Sequence, residues 1–498
     1  MLIANTLKLY CRLGLWLSVL APSSLIAVTS AEEAPLSANL IVVLEPIKIE
    51  CAGASTEIPV RGLQADLALS LEWAAGIAVS EIEGHVPGLN AEGLPVKSIR
   101  PADNGIKVSA DLECIEGDRV NYDVVATRFS DGKEVSRATG TAGIGLAAIR
   151  DALLDAVFRV VGKVGAVDAA DRASSATLNL YLTGIDASPV DIGLLLQATE
   201  RDGDFAPAWI RLGEGELRLG EEGGVAATAH YQAAERALNR ALSVRPGQPR
   251  AVHALASVYM RTGRTAQAIR LLVDGIGMRP DSAKLHAKLG YALRYAGLFQ
   301  RSIAEYRLAQ RLDGAYSEWI QFERQIIKSH IYSGNYEKAA ESYQRVLAWL
   351  QLLGREPDEK LLFYRGVAKY YAGDEEEAVA FFDASVARDD TSLWSAFAEA
   401  YRAAVLGETS RLVELADALE SGNVSDGERR YRLTHLNSLA HRTDKALEHL
   451  EKAAISGFFS YPYTKSDSLL ANIRDTAEFH RVLAEIEKLH AAVSRQFR

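Results

Sequence analysis

Glycine recurs at Gly220, Gly263, Gly297, Gly334, Gly373 and Gly407, at intervals of 43, 34, 37, 39 and 34 residues. No other feature of the sequence restricts the fold as much, because a fixed period of this length marks a stack of similar units, none of which can bury its apolar face alone. Each glycine falls between two stretches of helical apolar spacing, where a first helix must stop and reverse. A left-handed C-cap does this, and glycine adopts that conformation at little cost. A further 34 residues leads to His441, where the helix pair recurs without its glycine.

Small residues keep the same phase in the second helices: Ala234 and Ala241, Ala268 and Gly275, Ser302 and Ala309, Ala339 and Val346, Ala378 and Ser385, Ala446 and Ala453. Pro246 and Pro280 end two of these helices, since proline cannot continue the hydrogen-bond ladder. Trp209-x-x-Leu212-Gly213 and Leu289-Gly290 complete a pattern that resembles the tetratricopeptide-repeat (TPR) family over more than half of the chain. The resemblance implies a mostly α protein, a TPR α-solenoid of about seven repeats over residues 175–455 that works by binding other proteins. The extra residues around Gly220 to Thr228 are expected to form a surface loop, and Leu180 to Glu200 a degenerate leading repeat. Residues 456–498, with Leu469-Leu470, Ile473 and Phe479, resemble the terminal segment of TolB-like/TPR proteins, which caps the last apolar face.

In that family the first helix of each repeat lines a concave surface and presents contact residues at its positions 2, 5, 9, 12 and 13. Carried onto this chain, the second repeat gives Arg250, His253, Ser257, Met260 and Arg261, and the third Lys284, Ala287, Tyr291, Arg294 and Tyr295. The fourth gives Gln321, Arg324, Lys328, Ile331 and Tyr332, and the fifth Lys360, Phe363, Val367, Tyr370 and Tyr371. Seven of these twenty are Lys or Arg and none is acidic, although the chain has 65 acids against 55 Lys and Arg. The expected partner is an acidic peptide or protein tail, held by Arg forks and rigid Tyr rings. The alternative is a solvated face shaped by family habit.

Ahead of the array the period changes. Leu40 to Pro46 reads as a strand, Leu63 to Trp73 as a helix and Gly76 to Ile82 as a strand. Ile106 to Ile115, Val120 to Phe129 and Glu134 to Thr139 alternate, separated by Glu116-Gly117-Asp118 and Ser130-Asp131-Gly132-Lys133, which are hairpin signals. Leu146 to Val164 closes the unit as an amphipathic helix. Pro46, the helix Gly62-Leu63-Gln64-Ala65-Asp66-Leu67-Ala68-Leu69, Gly117 and Asp131-Gly132 resemble the N-terminal domain of TolB, which implies a small α/β domain over residues 36–165. Ala110-Asp111 stands where that family has a Gly-Ser or Gly-Thr pair, so no ligand role is carried over there.

Lys8 and Arg12, the apolar run Leu13 to Ala21 and the small residues Ala27 to Ala31 form the charged, apolar and cleavable order of a signal peptide over residues 1–31. Pro22-Ser23-Ser24 interrupts the run before it reaches the ~20 residues of a membrane span. A periplasmic or secreted protein is expected, with an uncleaved inner-membrane anchor as the alternative; an anchored chain would suit a sensory or regulatory component of a signalling assembly. Outside this segment only Cys51 and Cys114 remain, and in an oxidising compartment they are either joined or two separate buried thiols. A net charge of −10 argues against nucleic acid, whose phosphates need clustered cations.

No catalytic constellation, cofactor motif or metal-binding pattern stands out, so a non-enzymatic scaffold is expected. Gly162-Lys163 lacks the spacing and hydroxyl of a phosphate loop, and Gly140 to Gly145 follows a hairpin, so it is read as a turn. His435 and His441, six apart, do not share a helical face. Glu375-Glu376-Glu377 suits the positive end of a helix dipole.

Overall fold

The computed structural model describes residues 40–497 except the short segments 51–58, 74–76, 81–84, 90–94, 102–104, 116–118, 163–171, 314–317 and 423–425. The signal segment and Cys51 therefore lie outside the described residues. Strand β1 (Leu40–Leu44) runs parallel to its neighbours β3 (Ile77–Ser80) and β6 (Gly105–Ile115), and β2 (Lys48–Glu50) continues along β6. From β6 the sheet proceeds as an antiparallel meander through β7 (Arg119–Arg128) and β8 (Glu134–Gly143), and β4 (His85–Leu89) pairs separately with β5 (Pro95–Pro101). Alternation made the meander readable; β2 is too short to show a period. The glycine-rich stretch expected as a turn is a strand up to Gly143. Gly140 packs on the Tyr122 ring there, where a Cβ would overlap the hydroxyl. Cys114 on β6 is disulfide-bonded, one residue beyond the Glu50–Glu113 pair that ends β2.

Helices α1 (Val60–Trp73) and α2 (Leu146–Val160) cover one face of the sheet, placing Leu63, Leu67, Leu71, Leu153 and Val157 against Val42, Val108, Val120 and Val124. The same core continues into α3 (Ser175–Asp186) and α4 (Ile192–Arg201) through Leu178, Tyr181 and Leu195. Asp66 of α1 and Arg150 of α2, both fully buried, pair at 2.7 Å, and the Tyr181 hydroxyl donates to Asp66 at 3.0 Å. The sheet is thus packed onto the first helix pair by one continuous core and one buried polar triad.

Seven further pairs follow: α5 (Ala206–Glu222) and α6 (Ala227–Val244), α7 (Pro249–Arg261) and α8 (Thr265–Met278), α9 (Ala283–Tyr295) and α10 (Phe299–Leu312), α11 (Trp319–Tyr332) and α12 (Tyr336–Leu352). Then come α13 (Glu359–Tyr371) and α14 (Glu375–Arg388), α15 (Leu393–Val405) and α16 (Thr409–Ser421), α17 (Gly427–Leu439) and α18 (Thr443–Ile455). The small residues of the second helices sit at the close contacts: Ala234, Ala268, Ser302, Ala339, Ala378 and Ala446 are buried. Turn glycines Gly263, Gly297, Gly334, Gly373 and Gly407 take φ of 70 to 80°. Gly220 does not. The insertion lets α5 run on to Glu222, the reversal falls to Gly223 and Gly224, and Gly220 packs on Tyr231 inside the helix. His441 adopts φ 56°, so its turn keeps the left-handed geometry without the glycine.

The last segment, α19 (Tyr461–Ser466), a single 3-10 turn, α20 (Ala471–Arg474) and α21 (Ala477–Ser494), buries Phe479, Val482 and Ile486. It also reaches back to the second and third clear repeats. The Thr265 hydroxyl donates to the Gly457 carbonyl at 2.9 Å, the Phe459 N–H to the Tyr295 carbonyl at 3.1 Å, and His490 Nδ1 to the Ala296 carbonyl at 2.6 Å. The array therefore closes on itself. Among the described residues no helix is long and apolar enough to cross a membrane.

Candidate functional site

Closure decides what the inner face can do. First helices α7, α9, α11 and α13 turn their basic and tyrosine residues inward, and α17 enters opposite them with Asp426 and Glu428 at its start. Asp426 caps α17 by accepting from the Arg429 N–H, and its other oxygen accepts from the Tyr295 hydroxyl at 2.8 Å. Glu428, at the start of the helix itself, meets Arg294 at 3.0 Å and Lys328 at 3.1 Å, and accepts from the Tyr332 and Tyr364 hydroxyls. Arg294 lies against the rings of Tyr291, Tyr295 and Tyr332, 5.2 to 5.6 Å from their centres. Burial works to raise the Glu428 pKa, yet Arg294, Lys328 and Arg432 outweigh it and hold the carboxyl well below its ordinary range. Burial likewise draws the Lys328 amine well below its usual value.

A second carboxylate arrives from the sheet domain. Glu72, near the end of α1, receives Lys284 at 2.7 Å and lies 3.8 Å from Arg250, which also bonds Glu214. Burial again opposes ionisation, and Lys284 and Arg250 overcome it, so the Glu72 pKa is lowered. Further along, Arg324 pairs with Asp358 at 2.7 Å, and Lys360 stands over Trp394 at 4.7 Å. Phe363 is fully buried among Trp394, Phe397 and Tyr401, so it is a core residue and not a contact residue. Tyr371 donates to Asp467, and Tyr370 is half-buried.

The residues nominated from repeat positions are therefore brought together, but most are engaged within the chain. Arg294, Tyr295, Lys328 and Tyr332 are buried, and Arg261 pairs with Glu221 at 2.7 Å and lies 3.5 Å from Asp426. Of the nominated basic and aromatic residues only Arg261 and Lys284 are exposed. All the nominated cations but Lys360 bind carboxylates, and those carboxylates include Glu72, Asp426 and Glu428. Sequence reasoning missed these partners, because nothing in a repeat pattern tells where a curved stack meets its own ends.

Among the described residues two cations of this face pair with no carboxylate: Lys360, which stands over Trp394, and Lys288. Lys288, at neither of the nominated positions nearest to it, lines a cavity of about 240 Å³ with Glu221, Ser257, Met260, Arg261, Tyr291 and Asp426. Among the described residues its ammonium makes no hydrogen bond or ion pair, only an approach to the Tyr291 ring at 5.6 Å. Burial and the charge of Arg261 lower its pKa to about 8, against the opposing pull of Glu221. His253, on the same inner surface, is pushed well below its ordinary value by burial and by Lys288, Lys284 and Arg250, and so is neutral at pH 7. Helical spacing would have found Lys288, which lies four residues after Lys284 and so shares its face. The described residues contain no group of His, Cys, Asp and Glu able to hold a metal ion.

Residues 226–290 match the family model described as tetratricopeptide repeat, a span that runs from the start of α6 into α9. No curated protein matches the sequence. Similar solved structures include a thermophilic TPR protein of Thermus thermophilus, 20% identical, covering 39% of this chain and 98% of its own, with a TM-score of 0.31. The PilF protein of Pseudomonas aeruginosa is 17% identical and covers 45% and 95%, with a TM-score of 0.34. A TPR protein of Parabacteroides merdae is 11% identical and covers 55% and 98%, with a TM-score of 0.36. The chain carries tetratricopeptide repeats in a mostly helical solenoid, with a small sheet region at its N-terminal side.

Proposed function

We propose that this chain is a non-enzymatic, exported scaffold whose inner mouth, at Lys288 and His253, receives a carboxylate from an acidic segment of a partner protein. The observation that carries this reading is the Lys288 ammonium, which faces a cavity without a carboxylate partner, whereas the buried cations Arg294 and Lys328 nearby both have one. Lys288 is only half-buried, but an ammonium desolvated even in part with no carboxylate bonded to it is held at some cost, and an incoming carboxylate relieves it. Arg250, Arg261, Lys284 and Tyr291 would flank the entering segment. Replacing Lys288 by Glu and capturing partners from the native host tests this: loss of acidic partners from an otherwise folded protein is expected, and an unchanged partner set overturns it.

Export rests on the order of charged, apolar and small residues at the N-terminus. Mass spectrometry of the mature protein is expected to find a start near Glu32 in the periplasmic or secreted fraction. A retained N-terminus in membranes would instead favour the anchored, regulatory reading. We read the sheet domain as TolB-like; β1 leading into Pro46 and a helix carrying Gly62 to Leu69 support this.

A further inference from the structure

A second cavity, on the inner side of the fourth and fifth clear repeats where the C-terminal segment docks, has the opposite chemistry. It measures about 250 Å³ and is lined chiefly by Phe299, Tyr332, Tyr336, Tyr371, Tyr463 and Asp467, with no Lys or Arg among the described residues of its wall. Tyr336 and Tyr371 stack at 5.8 Å with 7° between their planes, and Tyr332 and Tyr463 at 4.5 Å with 16°. Aromatic faces carry negative electrostatic potential, so a wall of tyrosines favours a cation over a neutral guest of the same shape.

Asp467 adds a full negative charge whose hydrogen-bonding capacity is already used. Oδ1 accepts from the Tyr371 hydroxyl at 2.8 Å and the Leu469 N–H at 3.0 Å, and Oδ2 accepts from the Tyr431 hydroxyl at 2.9 Å and His435 Nε2 at 2.7 Å. Burial works to raise the Asp467 pKa, and His435 and the tyrosines keep it lowered. His435 itself is pushed below its usual value by burial, so its donor is neutral at pH 7. Two guanidinium groups lie close by without bonding the carboxylate: Arg432 donates to the Tyr332 and Tyr401 hydroxyls and stands 5.4 Å from the centre of the Tyr332 ring, which leaves Tyr336, Tyr371 and Tyr463 for a guest, and Arg474 donates to the main-chain carbonyls of Lys465 and Asp467. The negative field reaches the cavity mouth, where burial and the charge of Asp467 raise the pKa of Tyr336.

We propose that this cavity binds a quaternary ammonium group, with its methyl groups against Tyr336, Tyr371 and Tyr463 and its charge beside Asp467. A primary ammonium would bring three N–H donors to a carboxylate with no free lone pair, and would lose its hydration without replacement. A trimethylammonium group has no N–H to satisfy and is weakly hydrated, so rings and a saturated carboxylate suit it better. This site is independent of the acidic-partner mouth, which shares none of these residues.

The test is calorimetric titration of choline into the purified full chain, beside ethanolamine and the neutral isostere 3,3-dimethylbutan-1-ol. Choline is expected to bind saturably and about tenfold tighter than either. Tyr336→Leu should weaken it about tenfold with the melting curve unchanged, while Tyr336→Phe, which keeps the ring, should retain it. Co-sedimentation with phosphatidylcholine vesicles separates the sources: sedimentation assigns a lipid headgroup, and choline binding without it assigns a free ligand. Absence of saturable choline binding, equal binding of the neutral isostere, or full affinity in Tyr336→Leu would overturn the proposal.

Discussion

The inner face has two stretches that use the same residue types and reach different ends. Along α11, α13 and α17, Lys328, Tyr332 and Arg432 surround Glu428 and are sealed into the fold, whereas along α7 and α9 Lys288 and His253 lie where no carboxylate bonds the Lys288 ammonium. The repeat positions do not distinguish them. What does is whether another part of the chain arrives with an acid, so the same pattern of Arg, Lys and Tyr is structural in one stretch and available for binding in the other.

The largest expected effect comes from removing the arriving acid. Glu428→Ala leaves Arg294, Lys328 and Arg432 buried without their carboxylate and should cost about 3–5 kcal/mol in denaturant unfolding. Lys288→Gln, in the open stretch, removes a charge that no carboxylate bonds and should not lower stability. Equal losses from the two would erase the distinction between the stretches.

Closure itself is probed by two glycines with the same backbone. Gly263 has φ 75° and lies where a Cβ would overlap the Ile455 carbonyl, whereas Gly373 has φ 80° and nothing within reach. Gly373→Ala should cost about 1 kcal/mol from the left-handed conformation alone. Gly263→Ala should cost about 3 kcal/mol, because the clash with the returning segment adds to it. Thermal melts of both variants check this, and equal losses would mean that closure contributes little to stability.

The open stretch should respond to pH. Lys288, with a pKa of about 8, carries its charge below that value and loses it above. Affinity for an acidic peptide should therefore fall about tenfold between pH 7 and 9, measured by anisotropy with a labelled polyglutamate peptide. Glu221, Arg261, Tyr291, Tyr295 and Asp426 line the same cavity, and burial and the charge of Asp426 push both tyrosines upward, so that neither loses its proton within this range. A flat profile would place the bound carboxylate elsewhere. The smallest effect is expected outside both stretches, at His441, whose φ of 56° suits glycine. His441→Gly should raise stability by about 1 kcal/mol, read from the denaturation midpoint.

Much of this architecture was readable from periodicity. The recurrent spacing of 34 to 39 residues located the turns that Gly263 to Gly407 make, the phase of Ala234, Ala268 and Ala339 located the close helix contacts, and alternation located β6 to β8. These are local properties: a turn needs one residue with positive φ, a close contact one small side chain, and a strand two faces of different polarity. Gly220 escaped because an insertion moved its turn to Gly223 and Gly224, and a period cannot show where an extra few residues will be absorbed.

The inner face was legible in composition but not in role. Sequence alone determined that Arg294, Lys328, Tyr332 and Tyr371 point to one side of their helices, since helical phase fixes direction. Only the tertiary structure decided that Glu72, Asp426, Glu428 and Asp467, from outside that run of first helices, would meet residues of this face. The physical reason is that curvature accumulates from small rotations at every repeat interface, and its sum, which no single repeat encodes, determines whether the ends of the chain reach the groove or leave it open.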